Sequence, residues 1–106
     1  MISEKTTNIG DKVYRVYVLG HISTGYDVQI LDYIVGWKGK DTFIPVGFGN
    51  NKYEDMTIRY CDCYKTLEEA QAKAATMFDG PVTFEKINGD AYDVIGKHKE
   101  RKLCFR

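Results

Sequence analysis

Thr66-Leu67-Glu68-Glu69-Ala70 is the stretch that decides how this 106-residue chain is built. Thr66 is suited to cap the first free backbone N–H groups of a helix, and Glu69, three residues on, to reach back to the cap residue's own N–H. Behind it Leu67, Ala70, Ala74, Met77 and Phe78 recur at helical spacing, which predicts one helix over 67–78 with a single apolar stripe. Ala70 and Ala74 are small, so the stripe can lie close against a sheet. Glu69 and Lys73 stand four apart on the exposed side, a favourable pairing. Asp79-Gly80-Pro81 supplies the expected stop, with Gly at the left-handed position and Pro just beyond it.

On both sides of this helix the pattern changes to a period of two. Upstream, residues 12–19 alternate, with Tyr14, Val16 and Val18 on one face and Arg15 and Tyr17 on the other. Residues 27–38 read as a long strand whose apolar phase switches: Val28 and Ile30 on one face, then Leu31, Tyr33, Val35 and Trp37 on the other. Such a switch predicts a β-bulge or bend, eased by Gly36. Gly39-Lys40-Asp41 makes a turn into a third strand, 42–48, where Pro45 argues for an edge position or a bulge. A fourth strand is expected over 57–64, with Ile58 and Tyr60 facing one way and Arg59, Cys61 and Cys63 the other. Downstream, 82–87 and 91–95 flank Asn88-Gly89, a dipeptide favoured in two-residue hairpin turns, and Leu103-Cys104-Phe105 is a candidate last strand. Residues 1–10 read as a polar lead-in. The order β-β-β-β-α-β-β(-β) is that of an α+β fold: one helix packed on a curved antiparallel sheet, curled as far as barrel-like. With no repeat, linker or low-complexity segment, 1–106 is read as one domain.

The chain carries 15 basic and 15 acidic residues, so it lacks the overall field of a general nucleic-acid or membrane binder. At 43% hydrophobic and 28% charged it has the balance of a soluble globular domain rather than a disordered chain. Residues 1–11 hold no apolar run, so neither an export signal nor a membrane span is expected. Three cysteines, an odd count, then point to reduced thiols and a cytoplasmic location.

The candidate chemistry is thin. Cys61 and Cys63, two apart on a strand, would point the same way, and Cys104, His21 or His98 could complete a metal site if the fold gathers them. Small buried thiols are the ordinary outcome for such residues. His21 beside Ser23 has neither a nucleophile elbow nor a carboxylate partner at a recognisable spacing. Gly39-Lys40-Asp41-Thr42 lacks the upstream glycine of a phosphate loop, and Gly47-Phe48-Gly49 lacks the flanks of an RNA-recognition signature. Glu54, Asp55, Asp62, Glu68, Glu69 and Asp79 form no acid–base pair, and Glu68 and Glu69 already suit a helix N-terminus. No catalytic residue, metal ligand or cofactor is therefore expected.

Two surfaces stand out instead. Trp37 with Lys38 and Lys40 makes an aromatic–basic patch of the kind that anchors protein interfaces, unless Trp37 simply ends a core strand. Lys97, Lys99, Arg101 and Lys102, with only Glu100 among them, form a basic tail suited to phosphate or to an acidic protein, or a solvated terminus.

Lys12-Val13-Tyr14, then Tyr33-Ile34-Val35-Gly36-Trp37, then Tyr64-Lys65-Thr66-Leu67-Glu68-Glu69-Ala70 resembles a pattern in small uncharacterised proteins of Firmicutes phages and mobile elements. There, curled strands precede a Thr-x-Glu-Glu-Ala helix, and the likeness covers roughly residues 10–78. The resemblance implies a context in which accessory proteins bind host proteins, some inhibiting CRISPR or other defence systems. The expectation is a non-enzymatic intracellular protein-binding module whose partner is a host or phage protein. A nucleic-acid binder using the basic tail and exposed aromatics is the alternative, and a small metal-dependent enzyme comes third. A homodimer through an edge strand, such as the one carrying Pro45, is a further expectation.

Overall fold

The structure is a computed structural model that describes residues 1–21, 25–46 and 57–98, without the side chains of residues 21, 25, 26 and 98. It contains β1 (Lys12–His21), β2 (Gly25–Lys38), β3 (Thr42–Pro45), β4 (Ile58–Arg59), β5 (Cys63–Tyr64), α1 (Leu67–Ala75), β6 (Phe78–Asn88) and β7 (Ala91–His98). The expected α+β class with one helix and an antiparallel sheet is what forms.

The 14-residue β2 is the spine. One of its edges runs along β1 in unbroken register, from Lys12 opposite Ile34 to His21 opposite Gly25. The other edge is shared: β7 pairs with Val28, Gln29 and Ile30, and β3 with Val35, Trp37 and Lys38. The path β4-β3-β2-β1-β5 therefore begins and ends on segments joined by only the 3-10 turn Tyr60–Asp62. Laid flat, four strand spacings separate β4 from β5 by about 19 Å. Four residue steps of 3-10 helix span only about 8 Å. The sheet must curl to bring its edges together, and a turn rather than a hydrogen-bonded ladder bridges them. It is strongly curved and is not a closed barrel.

Two cores follow from that curl. The inner side encloses Ile2, Val13, Val35, Phe43, Ile58, Tyr60 and Cys63. Across the sheet, Ala70 and Ala74 of α1 bury against Val28, Ile30, Phe78 and Val94. Each fully buried Val, Ile or Phe contributes about 1.5–3 kcal/mol. This arrangement explains the phase switch in β2. Alternation with β1 is never broken across residues 28–34; the sheet is simply covered on one face at its Val28–Ile30 end and on the other at Tyr33–Val35. The bulge lies further on, between Val35 and Trp37, where the register with β3 shifts. Gly36 belongs there because a Cβ would sit 3.0 Å from Val46 N and 3.1 Å from Ile44 O.

The capping box forms as expected. Glu69 N donates to Thr66 Oγ1 at 3.2 Å, and Thr66 N donates to Glu69 Oε1 at 3.2 Å. The helix is shorter than its apolar stripe, however. It ends at Ala75, where Thr76 Oγ1 donates to Lys73 O at 2.6 Å and Met77 N to Ala74 O at 3.1 Å. Met77 and Phe78 still join the same core from outside the helix. Asp79-Gly80-Pro81 is thus no helix stop; it lies within β6, where Gly80 at φ +91° accompanies a register shift between Phe78 and Val82.

Other boundaries move too. The strand expected over 57–64 is two short strands around a 3-10 turn, because this segment changes partner from β3 to β1. The hairpin turn is Gly89-Asp90 rather than Asn88-Gly89, since Asn88 still pairs with Ala91. The lead-in is structural: Ile2 N donates to Cys63 O at 3.0 Å, Thr7 is buried with its hydroxyl on Ser3 O at 2.7 Å, and Gly10 N donates to Val35 O at 2.8 Å. Pro45 is buried, and β4 covers the outer edge of β3 only at Thr42 and Phe43, so among the described residues no strand pairs with Pro45 on that side; the bulge opposite, which Pro45 also argued for, is present. Leu103-Cys104-Phe105 lies outside the described residues.

Candidate protein-binding face

The bulge decides which way Trp37 points. Strict alternation would place Trp37 with Val35 in the inner core. Instead Trp37 pairs with Ile44, whose neighbours Phe43 and Pro45 both point inward, so Trp37 and Ile44 face outward together. A bulge re-aims a side chain in this way by adding one residue to one strand. Trp37 is 57% exposed, with its ring edge against Gly39: a Cβ there would lie 3.2 Å from the indole. Ile34, one residue before the inward Val35, is on the same outer face and 47% exposed; Val46 is 59% exposed, and its N–H donates to Ile34 O at 2.8 Å. The outer face of β2 and β3 therefore carries Ile34, Trp37, Ile44 and Val46 at neighbouring register positions.

Its rim is charged. Lys12 stands opposite Ile34 on β1, hydrogen-bonded to Asp90 and 3.6 Å from Asp32. Asp90 holds the Lys12 ammonium above its usual value, and Lys12 in turn holds the Asp90 carboxyl below its own. Tyr14, beside them on the same face, has its hydroxyl pushed up by burial.

The expected Trp37–Lys38–Lys40 patch is divided by the bulge. Lys38 pairs with the inward Phe43, and its Nζ donates to Glu4 O at 2.8 Å, so it ties down the N-terminal turn. Lys40 is exposed in the β2–β3 turn, on the rim of a cleft of about 280 Å³ shared with Met1, Ser3, Asp41 and Arg59. Lys97 is exposed near the end of β7. Lys99, Arg101 and Lys102 lie outside the described residues. Ile34 and Val46 are not singled out by the sequence, although an isoleucine on the face opposite Tyr33 and Val35 and a valine directly after Pro45 are visible there.

The thiols diverge. Cys61 is exposed in the 3-10 turn and Cys63 is buried on the inner face, so they do not point the same way as a continuous strand would have made them. Burial pushes the Cys63 thiol up to about 12, so near neutral pH it is a protonated, poorly nucleophilic thiol. Among the described residues no group of three His, Cys, Asp or Glu side chains could hold a metal ion. His21, Ser23, His98 and Cys104 lie, wholly or in their side chains, outside the description. Glu69 spends its carboxylate on Thr66, as the capping box requires. Among the described residues no helix is long and apolar enough to cross a membrane. No protein family, curated protein or solved structure matches this chain.

Proposed function

We propose that this protein is a non-enzymatic protein-binding module that engages its partner through the Ile34–Trp37–Ile44–Val46 face. One observation carries the reading: a bulge built around Gly36 turns the chain's single tryptophan out of the core and beside two other exposed apolar side chains. Contiguous exposed apolar surface with a charged rim is the usual form of a protein interface, and tryptophan is the residue most enriched at its energetic centre. A cytoplasmic location, a phage or mobile-element origin and an anti-defence role belong to the same proposal. They rest on the resemblance of residues 10–78 and on the odd number of cysteines.

The test is affinity purification from a Firmicutes host lysate with wild-type protein and with Trp37→Ala and Val46→Lys variants. A stoichiometric protein partner is expected with the wild type. Loss of the central tryptophan should weaken it by about 2 kcal/mol, roughly thirtyfold in Kd, with an unchanged circular dichroism spectrum. Recovery of the partner at equal yield by both variants, or recovery of none by the wild type, would remove the proposal.

A further inference from the structure

We infer that the open edge of β1, Val16 to Gly20, pairs antiparallel with the same segment of a second copy of the chain. β5 covers this edge only at Tyr14 and Arg15, opposite Tyr64 and Cys63. β1 continues to His21, and among the described residues no strand pairs with it on that side beyond Arg15. A strand edge of this kind presents a row of backbone N–H and C=O groups that another strand satisfies.

Apart from the Arg15 guanidinium, which lies 4.6 Å over the Tyr17 ring at the covered end, the segment lacks the devices that discourage such pairing. Val16-Tyr17-Val18-Leu19-Gly20 contains no charge and no proline, and its register with β2 is unbroken. Val18 and Leu19 are 43% and 40% exposed, one on each face of the strand. The other edge of β6, which no strand among the described residues pairs, is the contrast within the same molecule. It carries Pro81, a register shift with Gly80 at φ +91°, a second shift between Lys86 and Asn88, and the charges of Glu85 and Lys86. One edge is guarded and the other is not.

The uncharged, self-complementary segment suits a second copy, and geometry then fixes the register. In an antiparallel pair, residues directly opposite each other project on the same face. A twofold axis perpendicular to the sheet must therefore pass midway between the two copies of one residue, never between residues of different number. Arg15 is already paired with Cys63, so pairing starts at Val16, and an axis at Val18 sets Val16–Gly20 of one copy against Gly20–Val16 of the other, leaving only His21 beyond the paired segment. Val18 then meets Val18, Tyr17 meets Leu19 and Val16 meets Gly20. Every pair is uncharged, and on either side of the self-paired Val18 a larger side chain faces a smaller one. A self-complementary patch of this sort is what an isologous dimer requires.

Sedimentation across a concentration series tests this with wild type and Val18→Lys, which sets two ammonium groups against each other on the axis. The wild type should be a reversible dimer, and Val18→Lys should raise its dissociation constant roughly tenfold or more. A second readout does not depend on tolerating the lysine. In a background with Cys61→Ser and Cys104→Ser, Val18→Cys should form a disulfide-linked dimer under mild oxidation, and Thr83→Cys on β6 should not. A wild type monomeric into the millimolar range, a Val18→Lys dimer as tight as wild type, or equal cross-linking from Thr83→Cys would each overturn the inference.

Discussion

Replacing Gly36 with alanine tests the bulge on which the binding face depends. The new methyl would stand 3.0 Å from Val46 N, 3.1 Å from Ile44 O and 3.2 Å from Val46 Cα. All three are backbone atoms, so no side-chain rotation relieves the contact, and β3 must move away from β2. Overpacking of this kind costs about 1–3 kcal/mol. The displaced group is the Val46 amide that donates to Ile34 O at 2.8 Å, and weakening that bond adds about 1 kcal/mol at most. Against this, alanine restricts the unfolded chain and returns about 0.4–1 kcal/mol, because Gly36 does not occupy a positive φ. The net expectation is a loss of about 1–3 kcal/mol, at roughly 4–8 °C of Tm per kcal/mol for a domain of this size. Gly20→Ala is the matched control: also in a strand, also without positive φ, and with nothing within 4 Å of its Cβ, it should be neutral or slightly stabilising. Urea unfolding in dilute protein gives both values, with a changed midpoint and an unchanged slope. Trp37 is the chain's one tryptophan, so its fluorescence should shift in Gly36→Ala and not in Gly20→Ala. If Gly36→Ala were as stable as Gly20→Ala and left the emission alone, the close approach of β2 and β3 would be wrong, and with it the reason Trp37 faces outward.

Thr66→Ala removes the acceptor for Glu69 N and should cost about 1 kcal/mol in the same unfolding assay, with Glu69→Ala costing less; no loss from Thr66→Ala would mean the box does not hold the helix. Phe43→Ala, at a position with no exposure, should cost about 3–5 kcal/mol, whereas Ile34→Ala on the outer face should cost far less, and equal losses would contradict the assignment of faces. With Cys104→Ser in place, a thiol reagent at neutral pH should modify Cys61 in the folded protein and reach Cys63 only on unfolding. Because burial raises the Cys63 thiol from 9.0 to about 12, the unfolded state loses its proton first, so stability is fully present below pH 9 and declines between pH 9 and about 12. Cys63→Ala should lessen that alkaline slope; an unchanged slope would assign it entirely to the tyrosines.

The parts of this fold legible in the sequence are those set by local chemistry. Thr66 and Glu69 satisfy each other within one helical turn, so their spacing alone announces the helix. The apolar stripe was also legible, but its length was not. Met77 and Phe78 continue the helical spacing because the chain keeps to the same core after Thr76 and Lys73 have closed the helix. Asp79-Gly80-Pro81 looked like a stop because a left-handed glycine before proline serves a bulged strand edge as well as it serves a helix end. The segment 58–64 misled for a different reason. Its alternation is real at both ends, where β4 and β5 each bury alternate residues, but the change of partner between them is a long-range fact that no window of seven residues contains.

Trp37 shows how a functional position can be misplaced by a correct local rule. Phase along β2 assigns it to the core, and every residue from Val28 to Val35 obeys that phase. The exception requires a partner strand that arrives one residue out of step, and β3 does so because Pro45 packs inward opposite Val35 while Gly36 leaves room for its backbone. A bulge that served only to curl the sheet could have carried a polar residue at its outward position. Instead it displays the largest apolar side chain in the protein, next to Ile34 and Val46, at the cost of removing it from a core that would have stabilised the fold. Among the described residues, the same sheet leaves the outer edge of five uncharged β1 residues without a strand while guarding β6 with proline, bulges and charge. If both exposures serve binding, each dimer carries two Trp37 faces. Val18→Lys should then weaken capture by an immobilised, densely presented partner far more than capture by the same partner in dilute solution, because only the first gains from two linked contacts. Equal loss in both formats would mean that the β1 edge touches the partner itself rather than a second copy.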